Sequence, residues 1–192
     1  MSIRWFLSWI FVFPVFKVLT GIKIKGRIPK KGAYIIACNH VSFLDPPIVG
    51  ICAAREIYFL AKTGLFEVSR FFSWLIRTYN AIPISGIRGL RTAIKLLKKG
   101  ETVVIFPEGT RSRKGFMLPF NPGVSYLALN LRIPVVPAYI TNSNKKFLAL
   151  LLRFNTLKIT FGKPISVHGY EDNRVDISRF SARVQEEVMK LR

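Results

Sequence analysis

AYIIACNHVSFLDPPIVGICA, residues 33–53, carries the reading that sets the fold. AYIIACN, 33–39, is a continuous apolar run of strand length, the mark of a strand buried on both faces. A polar turn follows. Pro46 and Pro47 then open an apolar helix through about Ala53, since proline is tolerated in a helix's first turn.

Outward from this stretch the alternation continues. GIKIKG, 21–26, sets Ile22 and Ile24 against Lys23 and Lys25 as a half-buried strand. IYFLA, 57–61, is another buried strand, residues 64–78 form an aromatic helix, and AIPIS, 81–85, is a short strand. Ile87, Leu90, Ile94 and Leu97 recur at helical spacing until Gly100 stops them. TVVIF, 102–106, is a buried strand and Pro107–Pro122 a polar loop rich in glycine and proline. A helix over Gly123–Leu131 and a strand over IPVVPAYI, 133–140, come next. LKITF, 157–161, alternates like an edge strand, and Ile177, Phe180, Val184, Val188 and Leu191 stripe a last amphipathic helix. The predicted fold class is α/β: one domain over 21–192, with a largely parallel mixed sheet flanked by helices, preceded by a membrane-associating helical segment over 1–20.

The composition speaks for a membrane surface. Half of the residues are hydrophobic, sixteen are Phe, and the formal net charge is +20. Such apolarity excludes a disordered chain. Together with the charge it suits a body resting on anionic lipid with apolar groups dipping in. No acid occurs between Glu108 and Glu171, while Arg111, Arg113, Lys114, Arg132, Lys145, Lys146, Arg153, Lys158 and Lys163 do. The same field attracts nucleic acid, so charge alone does not choose the partner.

WFLSWIFVFPVF, 5–16, lies uncharged between Arg4 and Lys17. As a helix it reaches about 18 Å, against roughly 30 Å of hydrocarbon, and Pro14 is expected to kink it. A monotopic anchor on the cytoplasmic face of the cell membrane is the favoured reading, over a spanning or a soluble core helix. RFFSWLIR, 70–77, and KKFLALLLR, 145–153, are apolar between basic ends and suit either a lipid-dipping element or a core helix. Cys38 and Cys52 sit in apolar company as reduced core residues, and no Cys/His spacing suggests a metal.

Two loops carry candidate chemistry. In NHVSFLD, 39–45, His40 is one of two histidines and Asp45 the only Asp before residue 172. An imidazole titrates near neutrality and can take a proton from an attacking alcohol. A carboxylate beside it fixes the tautomer and stabilises the imidazolium, as in a triad lacking its serine. On these residues alone a helix-capping Asp and a turn histidine is the commoner explanation. In FPEGTRSR, 106–113, Gly109 permits tight turning, and Arg111, Arg113 and Lys114 offer charge that matches phosphate oxygens. Glu108 is free in this reading to hold a cation or a substrate hydroxyl. A solvated basic turn describes the same residues. His168 reads as a surface histidine.

NHVSFLDP, FPEGTRSR and IPVVP, in this order, resemble the lysophosphatidic acid acyltransferase family of glycerolipid enzymes, a similarity running from about Gly21 to Pro164. The resemblance implies that His40 is the general base and Asp45 its partner. It implies that Glu108, Gly109, Thr110 and Arg111 bind the acceptor's phosphate and glycerol. Where the family carries a phosphate-binding Asp-Arg pair this chain has Ser85-Gly86, for which Arg88 or Arg91 is a substitute. That departure opens other acceptors, glycerol-3-phosphate or a lyso-aminolipid. Ile133–Pro137 falls where the family shapes its acyl-donor site. The implied reaction moves a fatty-acyl group from acyl-CoA or acyl-carrier protein to the sn-2 hydroxyl of 1-acyl-sn-glycerol-3-phosphate, making phosphatidic acid for phospholipid biosynthesis. The thioester is a co-substrate, and no bound cofactor, metal or nucleic acid is expected. A covalent route through Cys38 and a non-catalytic basic protein binding membrane or nucleic acid are the alternatives.

Overall fold

The computed structural model describes residues 2–84, 86–112, 116–145 and 156–192, except for the side chains of residues 86–88. Seven strands in these residues form one sheet: β1 (Lys23–Lys25), β2 (Tyr34–Cys38), β3 (Tyr58–Lys62), β4 (Ala81–Ile84), β5 (Thr102–Ile105), β6 (Val135–Thr141) and β7 (Lys158–Phe161). Their order is β1-β7-β6-β2-β5-β3-β4. The strands from β6 to β4 run parallel, and β7 joins antiparallel to β6 with β1 parallel to it.

Strand side chains alternate between two cores. Ile36, Cys38, Val104, Val136 and Ala138 face helices α1 (Ile3–Thr20) and α2 (Asp45–Cys52). Ile35, Ala37, Val103 and Val135 face α4 (Gly86–Lys98), α5 (Gly123–Leu131) and the final helix, numbered α6 (Arg174–Met189). α3 (Arg70–Thr78) follows a short 3-10 turn, Thr63–Phe66, and packs beside β4. A strand buried on both faces has no polar side, which is why β2, β5 and β6 read as unbroken apolar runs. α6 buries Phe180, Val184 and Val188 through its predicted stripe.

Two expectations are corrected. The aromatic stretch 64–78 is divided at residues 67–69 by a break before α3, where Ser69 caps the helix through the Phe72 N–H. β7 is not an edge, because β1 pairs with its outer side. Its alternation has another cause: Ile159 and Phe161 enter the α1/α2 core, while Lys158 and Thr160 stay only half-buried on the other face.

α1 runs through Pro14 as 18 helical residues, about 27 Å at a rise of ~1.5 Å per residue. By length and composition it can cross a membrane, and most of it is exposed. It is nonetheless tied to the body. Trp5 is buried, meets Tyr79 edge-on at 6.2 Å, and packs over Gly50 of α2, where a Cβ would come 3.4 Å from its ring. The backbone N–H and hydroxyl of Ser2 both donate to Glu56.

Candidate active site

β2 and β5 are parallel neighbours with Ala37 opposite Ile105. Three residues further along each chain stand His40 and Glu108. The strand register therefore brings together two loops that lie 68 residues apart, at the carboxyl ends where α/β sheets bind ligands. The even-numbered strand residues Ile36 and Cys38 face α2, and continuing that alternation turns His40 towards the helix that begins with Asp45.

His40 Nδ1 lies 2.8 Å from Asp45 Oδ2. The same oxygen accepts the N–H groups of Val41 at 2.7 Å and Ser42 at 2.8 Å. Asp45 is fully buried, and its Oδ1 has no partner among the described residues. An ionised carboxylate only accepts, so the proton of this contact sits on Nδ1. The lone pair is then on Nε2, which no described residue engages. The ring stacks on Phe106, centroids 4.3 Å apart, and keeps 18% of its surface exposed. Asp45 thus does two things at once: it closes the turn through two backbone donors and orients the imidazole with the third contact.

Both oxygens of Glu108 are engaged by backbone N–H groups. One oxygen accepts the His40 N–H at 2.6 Å and the other the Leu118 N–H at 2.8 Å, and the residue is buried. It holds no cation among the described residues; it braces the turn of His40 against its own loop. Burial pushes its carboxyl above the ordinary value, while the Leu118 and His40 N–H groups pull the other way. Ser112 N–H donates to the His40 carbonyl at 2.8 Å, so the loop grips both backbone groups of that residue.

Gly109 has φ +68°, the left-handed region, and a Cβ there would lie 2.9 Å from Asn121 Nδ2, so the turn needs glycine. Thr110 is exposed. Arg111 sits with its guanidinium carbon 3.4 Å from the centroid of the Phe43 ring, and no described carboxylate pairs with it. Arg91 is exposed on α4, and His168 is exposed far along the chain. The side chain of Arg88, all of Arg113 and Lys114, and most of the 145–153 stretch lie outside the described residues. No group of three or more His, Cys, Asp or Glu able to hold a metal occurs among the described residues.

Cys38 faces the α1/α2 core with no exposed surface, and burial pushes its thiol well above the ordinary value. Cys52 is pushed up to about 12 by the same cause. The thiolate is the nucleophile, so burial works against an acyl-cysteine route.

Sequence reasoning passed over three contributors. Asn39 donates from Nδ2 to the Ile140 carbonyl at 3.0 Å and accepts the Ile140 N–H at 2.7 Å, extending the β2–β6 ladder with a side-chain amide. Phe106 floors the imidazole, and Phe43 carries Arg111. Position next to His40 was the only available signal for Asn39; ring contacts have none. On the β6 side a pocket of about 300 Å³ opens beside Asn39 and Val41, lined also by Tyr139, Thr141, Asn142 and Lys145.

Comparison with known proteins bears on the family and the fold. A profile of the acyltransferase family matches residues 21–141. The 1-acyl-sn-glycerol-3-phosphate acyltransferase of Bacillus subtilis (strain 168) is 31% identical over 153 residues, 76% of this chain and 74% of that one. The protein of the same name in Borreliella burgdorferi is 28% identical over 199 residues, 96% of this chain and 76% of that one. Against the Cocos nucifera relative, 29% identical over 165 residues, the chain spans only 53% of the relative's length. The crystal structure of the 1-acyl-sn-glycerophosphate acyltransferase from Thermotoga maritima matches with a TM-score of 0.73 at 24% identity, covering 100% of this chain and 83% of that one, and shares its fold.

Proposed function

The chain belongs to the acyltransferase family, and from that premise we propose that it acylates the sn-2 hydroxyl of 1-acyl-sn-glycerol-3-phosphate from an acyl thioester, yielding phosphatidic acid. The carrying observation is the His40–Asp45 contact at 2.8 Å beside an arginine that no described carboxylate neutralises. Asp45 and Glu108, the acids of this site, are buried and engaged with backbone N–H groups, so among the described residues of these two loops the charge presented outward is that of Arg111. That suits a phosphate-bearing acceptor.

The geometry supports a single displacement. Nε2 of His40 takes the proton of the acceptor hydroxyl as its oxygen bonds to the thioester carbonyl carbon. The carbonyl becomes a tetrahedral oxyanion, and Asp45 stabilises the imidazolium formed alongside it. Collapse re-forms the carbonyl, breaks the carbon–sulfur bond and expels the thiolate, which takes the proton from Nε2. An ester and a free thiol result, and His40 returns to its starting form. General-base assistance contributes about 10²–10⁴-fold, and holding both substrates in register can contribute more. Glu108 acts in this scheme as a positioning residue, with Gly109, Thr110 and Arg111 lining the acceptor side.

The deciding experiment offers the purified full chain lysophosphatidate, glycerol-3-phosphate and a lyso-aminolipid, each with acyl-CoA and acyl-carrier protein. Turnover of lysophosphatidate above the other acceptors is expected. Inertness towards it while another acceptor is acylated overturns the acceptor assignment. Ser85-Gly86, at the family's phosphate-binding position, is what favours such a second acceptor.

α1 exposes Phe6, Phe11 and Val15, and α3 exposes Phe71 and Trp74 between Arg70 and Arg77. Apolar groups among cations suit an anionic leaflet, and this supports attachment to a membrane surface. Deleting residues 1–19 is expected to release much of the protein from anionic vesicles in a sedimentation assay. Because Trp5 belongs to the core, Phe6→Gln/Phe11→Gln/Val15→Gln provides the folded counterpart, with the same outcome expected. Unchanged sedimentation of the triple variant refutes the attachment.

A further inference from the structure

Phe43 is 64% exposed, so little of its ring is removed from water by its place in the fold. Its ring face is occupied by a cation, with the Arg111 guanidinium carbon 3.4 Å from the centroid. We propose that Phe43 is a positioning residue for the acceptor's phosphate: its ring carries Arg111 above the turn of His40 and leaves the guanidinium free to bind an anion. The inference rests on the reading of Arg111 as a phosphate ligand and adds the residue that makes it one.

A long, flexible arginine binds an anion well only if it is held near the binding position beforehand. The usual holder is a carboxylate. A carboxylate here would cancel the charge and occupy the N–H donors that the phosphate needs. An aromatic face attracts the guanidinium through its quadrupole, by ~0.5–1 kcal/mol when exposed and ~2 kcal/mol when desolvated. It takes no hydrogen bond, so the donors along the guanidinium edge stay available. No described carboxylate pairs with Arg111, and the Oδ1 of Asp45, which has no described partner, is buried. Oδ2 of Asp45 serves three donors, and each oxygen of Glu108 serves a backbone N–H.

The pairing also fixes distance to the reacting atoms. Phe43 lies within the turn that Asp45 closes through Val41 and Ser42. Arg111 precedes Ser112, whose N–H is bonded to the His40 carbonyl. Ring and guanidinium are therefore both referred to His40, and a phosphate held by Arg111 stands at a set distance from Nε2.

The test compares wild type, Phe43→Leu and Phe43→Trp in steady-state acylation of lysophosphatidate and of a monoacylglycerol with the same chain. Calorimetric titration with glycerol-3-phosphate runs in parallel. Phe43→Leu is expected to raise KM for lysophosphatidate by about 3- to 30-fold with kcat within about 2-fold, to weaken glycerol-3-phosphate binding alike, and to leave the uncharged acceptor unaffected. Phe43→Trp is expected to restore the wild-type KM. In an Arg111→Ala background Phe43→Leu should add nothing, since the cycle isolates the pair. The inference is overturned if Phe43→Leu behaves as wild type, if Phe43→Trp is equally impaired, or if the uncharged acceptor suffers as much, which marks Phe43 as a lipid contact. A wild type that binds glycerol-3-phosphate in a ring-dependent way but does not acylate lysophosphatidate refutes the acceptor assignment and leaves this inference standing.

Discussion

Turnover of His40→Ala is expected to fall at least ~10²-fold at saturating substrates, with vesicle binding and fold retained. The prediction is sharp because little else depends on the ring. The contacts that lock the turn use the backbone of residue 40: its N–H on Glu108 and its carbonyl on Ser112. Alanine keeps both. Asp45 loses one donor of three and the Phe106 face is opened, changes that cost about 1 kcal/mol or so in stability. Residual activity should reflect substrate positioning, which does not need a base. Circular dichroism and vesicle sedimentation establish that the variant is folded. Wild-type turnover in that folded protein ends the general-base proposal.

The second large effect separates charge from geometry at Asp45. All three hydrogen bonds meet on Oδ2, and Oδ1 has no described partner. Asparagine can therefore place its oxygen where Oδ2 stands and its amide where Oδ1 stands. The turn and the Nδ1–H tautomer survive; the negative charge is lost, and one buried polar group without a described partner is exchanged for another. A hydrogen bond to a charged group contributes ~1.5–3 kcal/mol, so Asp45→Asn should lose about 10- to 10²-fold in kcat with a small change in melting temperature. Asp45→Ala strands the Val41 and Ser42 N–H groups, at ~1–3 kcal/mol each where burial denies them water. It should lose more activity than Asp45→Asn and melt distinctly lower. Equal damage in the two variants means that charge, not oxygen geometry, builds the turn. Undiminished turnover of Asp45→Asn means that the imidazolium does not rely on the carboxylate.

The sheet's centre was legible in the chain because burial on both faces erases the polar alternation. β2, β5 and β6 show as apolar runs, and the paired prolines announce α2. β7 was misread because alternation reports how many faces are covered, not how many neighbours a strand has; half-buried Lys158 and Thr160 signal a one-sided sheet. His40 and Asp45 lie within one short segment, so their pairing was open to sequence reasoning. Glu108 was not. Its partner is 68 residues away, and only the β2–β5 register brings it to the His40 N–H. The Arg111–Phe43 contact was equally invisible, since aromatic faces leave no periodic mark.

The register that joins His40 to Glu108 also dictates where this chain tolerates length changes. Inserting or deleting one residue within 34–40 or within 102–108 slides one loop past the other and parts His40 from Glu108, even with every residue type preserved. Additions between Cys52 and Tyr58, or between Gly100 and Thr102, leave that match untouched. Duplications and trimmings among descendants of this fold should accordingly gather in the connecting segments, and a one-residue gap between the two strands and their loops should mark a copy that has lost its chemistry.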